Sequence, residues 1–163
     1  MLPEALTGPA ATVATRLKER GETVSVAESS AGGLISAALL SVGGASAYYR
    51  GGAVYYTLES LQALLAGGSD LDPGRRGACE PLVRYLSASV RGKLNSDWGV
   101  GETGATGPSP NPYGDPPGHA WVSVAGPDGT IATQHVLTGD DDREANMVAF
   151  AASALGLLAN ALS

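Results

Sequence analysis

The chain has 163 residues, 44% of them apolar and 16% charged, which fits one ordinary globular domain over residues 1–163 and excludes a disordered chain. Net charge is −6 and the isoelectric point lies near 4.7, with no basic run longer than Arg75-Arg76, so nucleic acid is not an expected partner. Cys79 is the only cysteine and no disulfide can close within the chain; no signal pattern or membrane-spanning apolar run is present, so a cytoplasmic setting without membrane contact is expected.

In chain order, Pro9 is placed to open a first helix, with Ala10, Val13, Ala14 and Leu17 on one face and Gly21 as its stop. "TVSVAE" reads as a strand, followed by the turn "ESSAGG" and a helix to about Ser41. "SVGGASAYYRGG" reads as a glycine-rich connection and "AVYYT" as a strand. The pair Tyr48-Tyr49 is either a subunit contact or core. "LESLQALLAGG" is a short helix and "SDLDPGRRG" a loop. Cys79, Leu82, Leu86 and Val90 form the buried face of a longer helix, and "DWGVGETG" is a strand running out into glycines.

"ATGPSPNPYGDPPG" carries five prolines and reads as an exposed or lid-like loop, over about residues 107–118. "HAWVSVAGPDGTIATQHVL" alternates on both sides of Pro-Asp-Gly and predicts a hairpin. The last helix is predicted to bury Ala145, Val148, Ala149, Ala152, Leu155 and Leu162. Strands alternating with helices and ending in a hairpin predict a single three-layer α/β/α domain around a mixed β-sheet.

Several loops have the composition of a binding site. "ESSAGG" between strand and helix offers backbone N–H groups at the positive end of a helix, where an anion is stabilised. Ser29 or Ser30 adds a hydroxyl, and Gly32 and Gly33 allow close approach; an ordinary N-cap explains the same residues equally well. "GETGATGPSP" supplies the Thr103 and Thr106 hydroxyls among glycines, either as an anion nest or as a flexible exit from the sheet. Two such turns after strands favour a pocket, because ligands of α/β sheets gather beyond strand ends.

Ser46, in "GGASAYY", is either a turn residue or a nucleophile that needs a proton acceptor. The candidate acceptors are Glu28, Glu59, Tyr56 and His119. Asp140, Asp141 and Asp142 suit the start of the last helix, where Arg143 either pairs with them or clamps a phosphate. Cys79, His119 and His135 are scattered, so neither a metal nor a cofactor is expected.

The blocks "VSVAESSAGGLISAALLSVGGASAYYRGGAVYYTLESLQALLAG", "ETGATGP" and "GDDDREANM" in this order resemble the C-terminal domain of the CinA competence-damage family over essentially the whole chain. The resemblance implies a stand-alone domain, without the N-terminal domain of longer CinA proteins. Stand-alone members are nicotinamide mononucleotide amidohydrolases, so it also implies a small nucleotide substrate and a homo-oligomer, dimer or higher. The family turn AESCTGG corresponds to Ala27, Glu28, Ser29, Ser30, Ala31, Gly32 and Gly33, with Ser30 in place of cysteine and Ala31 in place of threonine.

The family's nucleophilic serine corresponds to Ser46 and its strand tyrosine to Tyr56. Its Ser/Thr-Gly-x-x-Gly-Pro turn corresponds to Thr103, Gly104, Gly107 and Pro108, with Ala105 and Thr106 between, and its first arginine to Arg143. Two positions depart from the pattern: Leu61 replaces the lysine that partners the serine, and Met147 replaces a second arginine. Leucine cannot accept a proton, so the general base is unassigned. The alternative to an amidohydrolase is an impaired member that acts as a nucleotide-binding or regulatory module; a hydrolase of another amide or ester, with Glu28 or Glu59 as base, is a third reading.

Overall fold

A computed structural model describes residues 1–65 and 76–163. The chain runs α1 (Glu4–Arg20), β1 (Val24–Glu28), α2 (Leu34–Leu40), β2 (Tyr49–Val54), α3 (Leu58–Leu64), α4 (Glu80–Leu94), β3 (Trp98–Ala105), β4 (His119–Ala125), β5 (Ile131–Leu137) and α5 (Arg143–Ala161). The strands form one mixed sheet in the order β2-β1-β3-β4-β5. β1 pairs parallel with β2 and β3, with Val26 opposite Gly52 and Val100, while β3, β4 and β5 pair antiparallel.

The hydrophobic pattern explains the layers. β1 joins valines to small residues and β3 carries three glycines; both lie in the middle, buried almost throughout, as strands covered on both sides must be. On one face, Leu6, Val13 and Leu17 of α1, Ile35 and Leu39 of α2 and Leu155 and Leu158 of α5 pack with Val26, Val100 and Val122. On the other, Leu82, Leu86 and Val90 of α4 join Leu61, Leu65, Tyr55 and Ala27. The α/β/α layering expected from the element order is therefore present. Glycine at position 101 permits the close approach of α4: a Cβ there would stand 2.7 Å from the Val83 carbonyl oxygen.

Other expectations shift. α1 begins at Glu4, because Pro3 takes the N-cap position and its carbonyl accepts from Leu6 N (3.0 Å) and Thr7 N (3.2 Å); Pro9 lies inside the helix, where the carbonyl it leaves unbonded belongs to exposed Ala5. β2 starts at Tyr49 and ends at Val54, so it takes in Gly51 and Gly52 and leaves out Tyr55 and Tyr56. A Cβ on Gly52 would stand 2.8 Å from the Val26 carbonyl oxygen, so the glycine that reads as loop serves strand packing. Tyr48 is core, fully buried with its hydroxyl donating to Leu39 O at 2.5 Å, and Tyr49 is half-buried.

The α5 face is rotated from the expected one: Asn146, Phe150, Ala151, Ala154, Leu155 and Leu158 are buried, while Ala145 is exposed and Val148, Ala149 and Ala152 are half-buried. Cys79 is the half-buried N-cap of α4 rather than a core residue. Of the loop expected at 69–77, residues 69–75 lie outside the described residues. No helix among the described residues is long and apolar enough to cross a membrane.

Candidate active site

The turn after β1 is shaped by Gly32 and Gly33, with φ of 66° and 98°, the left-handed region that glycine enters without strain. Its amides are not vacant. The fully buried Glu28 folds back beneath α2, accepting from Gly33 N (3.0 Å), Ile35 N (3.1 Å), Ser36 N (3.0 Å) and the Ser36 hydroxyl (2.6 Å). From β3, the buried Glu102 accepts from Ser29 N and Ala31 N, both at 2.9 Å on Oε2, and from the Ser30 hydroxyl on Oε1. The anion that satisfies this helix entrance is the protein's own pair of carboxylates. The amides of this turn and of the α2 start thus face the protein's own carboxylates, and Glu28, Gly32 and Gly33 are not among the residues that line the adjoining cavity.

Beyond the carboxyl ends of β1 and β3 lies a cavity of about 530 Å³. The sheet order places it where the connections from neighbouring strands diverge to opposite sides, the usual ligand position in such sheets. Its floor is Ser29, Ser30, Tyr55 and the run Thr103 to Gly107; one wall is Tyr56, Leu58, Leu61 and Leu82. The opposite side is built by the proline-rich loop through Ser109, Asn111, Pro112 and Tyr113, so that loop forms part of the cavity wall.

Two arginines stand at this cavity. Arg143, the first residue of α5, donates to Gly107 O (2.6 Å) and to the Tyr56 hydroxyl (3.0 Å) and so bridges two walls. It makes this contact rather than pairing with the neighbouring aspartates. Of those, Asp142 caps the helix by accepting from Ala145 N at 3.0 Å. Arg76 pairs with Asp115, and its guanidinium lies 5.6 Å from the Tyr113 ring centre. Asn111 holds the same loop by accepting from Tyr113 N (3.1 Å) and Asp115 N (2.9 Å).

Burial sets the ionisation of the floor. Glu102 is raised from 4.5 to about 7, first by burial and further by the charge of Glu28, against the three hydrogen bonds that favour its ionised form. Burial, with Glu102 adding to it, pushes the Tyr55 phenol well above its usual range, so it stays protonated and donates to Glu102 O at 3.2 Å.

The cavity thus brings together Ser29, Ser30, Tyr56, Thr103, Gly104, Thr106, Gly107 and Arg143 from the sequence-predicted set. Ser46 is not among them. It sits exposed in a single 3₁₀ turn before β2, at the opposite end of the parallel strands from the cavity, about 20 Å away along the strand. Among the described residues, Ser46 does not line this cavity. Of the other candidate acceptors, Tyr56 lines the cavity, whereas Glu59 is exposed at the start of α3 and buried His119 lies behind Ala78, with Nε2 2.8 Å from Ala78 O and Nδ1 2.8 Å from His135 Nε2. Leu61, 4% exposed, presents an apolar side chain to the cavity wall. Met147 packs on the opening turn, its Cε 2.7 Å from where a Cβ on Gly32 would stand.

Sequence reasoning missed Glu102, Tyr55 and Arg76. An acid between the glycines and valines of a central strand is the signal that marks Glu102, since a buried carboxylate there must be held by donors.

The profile of the CinA C-terminal domain matches residues 7–162. The chain belongs to the CinA C-terminal domain family. A CinA-like protein of Anaeromyxobacter dehalogenans (strain 2CP-C) is 38% identical over 150 residues, covering 92% of this chain and 36% of the relative. A CinA-like protein of Prochlorococcus marinus (strain MIT 9313) is 38% identical over 124 residues, 76% of this chain and 29% of the relative. The chain spans about a third of the length of these curated relatives.

Among solved structures, a competence/damage inducible protein from Agrobacterium tumefaciens superposes with a TM-score of 0.91 at 25% identity, covering 99% of this chain and 98% of that one. A CinA superfamily protein from Klebsiella pneumoniae gives 0.89 at 25% identity, over 96% and 97%. The mixed sheet and its helical layers are therefore the CinA fold.

Proposed function

We propose that this CinA domain hydrolyses the carboxamide of nicotinamide mononucleotide, giving nicotinate mononucleotide and ammonia. The observation that carries the reading is one cavity lined by two arginines, Arg76 and Arg143, and by four hydroxyl-bearing residues, Ser29, Ser30, Thr103 and Thr106. Its volume of about 530 Å³ lies in the range that encloses a small ligand. Arg143 spends two of its five N–H donors on Gly107 and Tyr56 and keeps the others for a phosphate. A nucleotide held there turns its carboxamide toward the hydroxyls.

The test is ammonia release from nicotinamide mononucleotide by the purified chain, with nicotinate mononucleotide identified by mass spectrometry. Loss of a charged hydrogen bond costs about 1.5–3 kcal/mol, so Arg143→Ala is expected to raise KM by roughly 10- to 150-fold. An unchanged KM would remove Arg143 from the substrate site. A second reading is favoured by Leu61, which closes one wall with a group that cannot carry a proton: a nucleotide-binding module without turnover. Calorimetry showing saturable binding with no product would establish it in place of the first.

A further inference from the structure

We propose that Ser30 is the nucleophile of this chain and Glu102 the base that takes its proton. The inference rests on the reading that the cavity receives a carboxamide, and it fills the role that Ser46 and Leu61 leave open. Ser30 lines the cavity, and its hydroxyl donates to Oε1 of Glu102. Oε2 of the same carboxylate is pinned by Ser29 N and Ala31 N, so the group is held in one orientation with Oε1 turned to the serine. Glu102 is fully buried and Ser30 is 6% exposed, so the hydroxyl is the part of the pair that meets a ligand.

Three elements converge here: the turn after β1 brings the serine, β3 the carboxylate, and the segment after β2 brings Tyr55, whose hydroxyl donates to Glu102 O. The ionisable groups acting on Glu102 are Glu28 from the end of β1 and Tyr55. Burial places the carboxyl at about 7, where it both accepts a proton and returns it near neutral pH.

The chemistry balances without any further reactant than water. The Ser30 proton passes to Glu102 Oε1 as Oγ bonds to the carboxamide carbon. The C–N bond then breaks as nitrogen takes that proton from Glu102, and ammonia leaves. Water adds to the resulting ester, giving its proton to Glu102; the C–Oγ bond breaks and the proton returns to Oγ. One water is consumed, and one ammonia and one acid are released. Thr106 lines the same floor and offers a hydroxyl donor for the oxygen that turns negative, while the Thr103 side chain bonds to Tyr55.

A fluorophosphonate reagent reads the pair without depending on the nucleotide, because it phosphonylates an activated serine and loses fluoride. Peptide mass spectrometry of the labelled chain is expected to place the adduct on Ser30, at a rate that rises with pH through about 7. Glu102→Gln is expected to slow labelling about 100-fold and to flatten its pH profile. In that variant the amide oxygen can take the place of Oε2 and keep both backbone bonds, with its NH₂ turned to Ser30, so the turn survives while the base is lost. Ser30→Ala is expected to lower kcat for ammonia release by roughly 1,000-fold or more with little change in KM.

An adduct on Ser46, no adduct at all, or full ammonia release by Ser30→Ala would overturn the pair. Undiminished release by Ser30→Ala would leave the substrate reading standing. Labelling of Ser30 with no ammonia from the nucleotide would instead overturn the substrate and keep the pair.

Discussion

Two buried glutamates illustrate how much a carboxylate depends on its neighbours. Glu28 meets four donors at the start of α2, one of them the Ser36 hydroxyl, and so closes a helix entrance that would otherwise present unpaired amides. Glu102 meets three donors in a fully buried position beside that other charge, and desolvation wins: its carboxyl rises from 4.5 to about 7. The folded chain therefore holds this proton up to about pH 7, whereas the unfolded chain releases it near 4.5. Between those values unfolding releases a proton, so stability falls as pH rises and levels off above 7. The shift corresponds to about 3 kcal/mol. Urea unfolding at pH 5 and pH 8 should show the wild type losing about 2.5 kcal/mol relative to Glu102→Gln, which cannot titrate, the rest having been lost below pH 5; equal losses in both proteins would show that Glu102 is not raised.

Elements were legible where local pattern decides them and displaced where a distant contact decides. The β4–β5 hairpin follows from alternation around Pro-Asp-Gly and is present, closed by Gly126 N donating to Thr130 O at 2.9 Å. The α5 face was misplaced because a polar residue occupies its core position. Asn146 reads as a surface residue, yet it is fully buried: its Nδ2 donates to Thr106 O (2.9 Å) and Asp140 O (2.8 Å), and its Oδ1 accepts from the Thr138 hydroxyl (2.5 Å). It ties the exit of β3 to the turn before α5. The opening turn shows the same limit, since its position is plain in "ESSAGG" while its occupant comes from Glu102, 72 or 73 residues further on. Asn146→Ala would leave the buried Thr106 carbonyl unpaired, while the carbonyl of exposed Asp140 can turn to water, so a loss of roughly 1–3 kcal/mol in chemical denaturation is expected. A loss below 0.5 kcal/mol would mean that water replaces the amide without cost.

At the scale of the whole molecule, the sheet order decides where a ligand can act. Because β1 is flanked by β2 and β3, the turns after β1 and β3 face each other, and the α5 start brings Arg143 over the gap between them. The resemblance implies that Ser46 is the nucleophile, but Ser46 lies just before β2, whose direction sets it at the far end of the sheet from the cavity, which linear order does not reveal. A ligand that occupies the cavity bridges segments from both halves of the chain and should stabilise the fold as one unit. At 100 times its dissociation constant it contributes about 2.7 kcal/mol, which in a domain of this size raises Tm by roughly 5–10 °C. Thermal unfolding with nicotinamide mononucleotide is expected to show that rise, and the phosphate-free riboside at the same concentration a smaller one. Arg76→Ala and Arg143→Ala should each bring the nucleotide shift down toward the riboside value, because only the nucleotide carries the charge these side chains meet. Equal shifts from both ligands in the wild type would show that the arginine rim does not hold a phosphate.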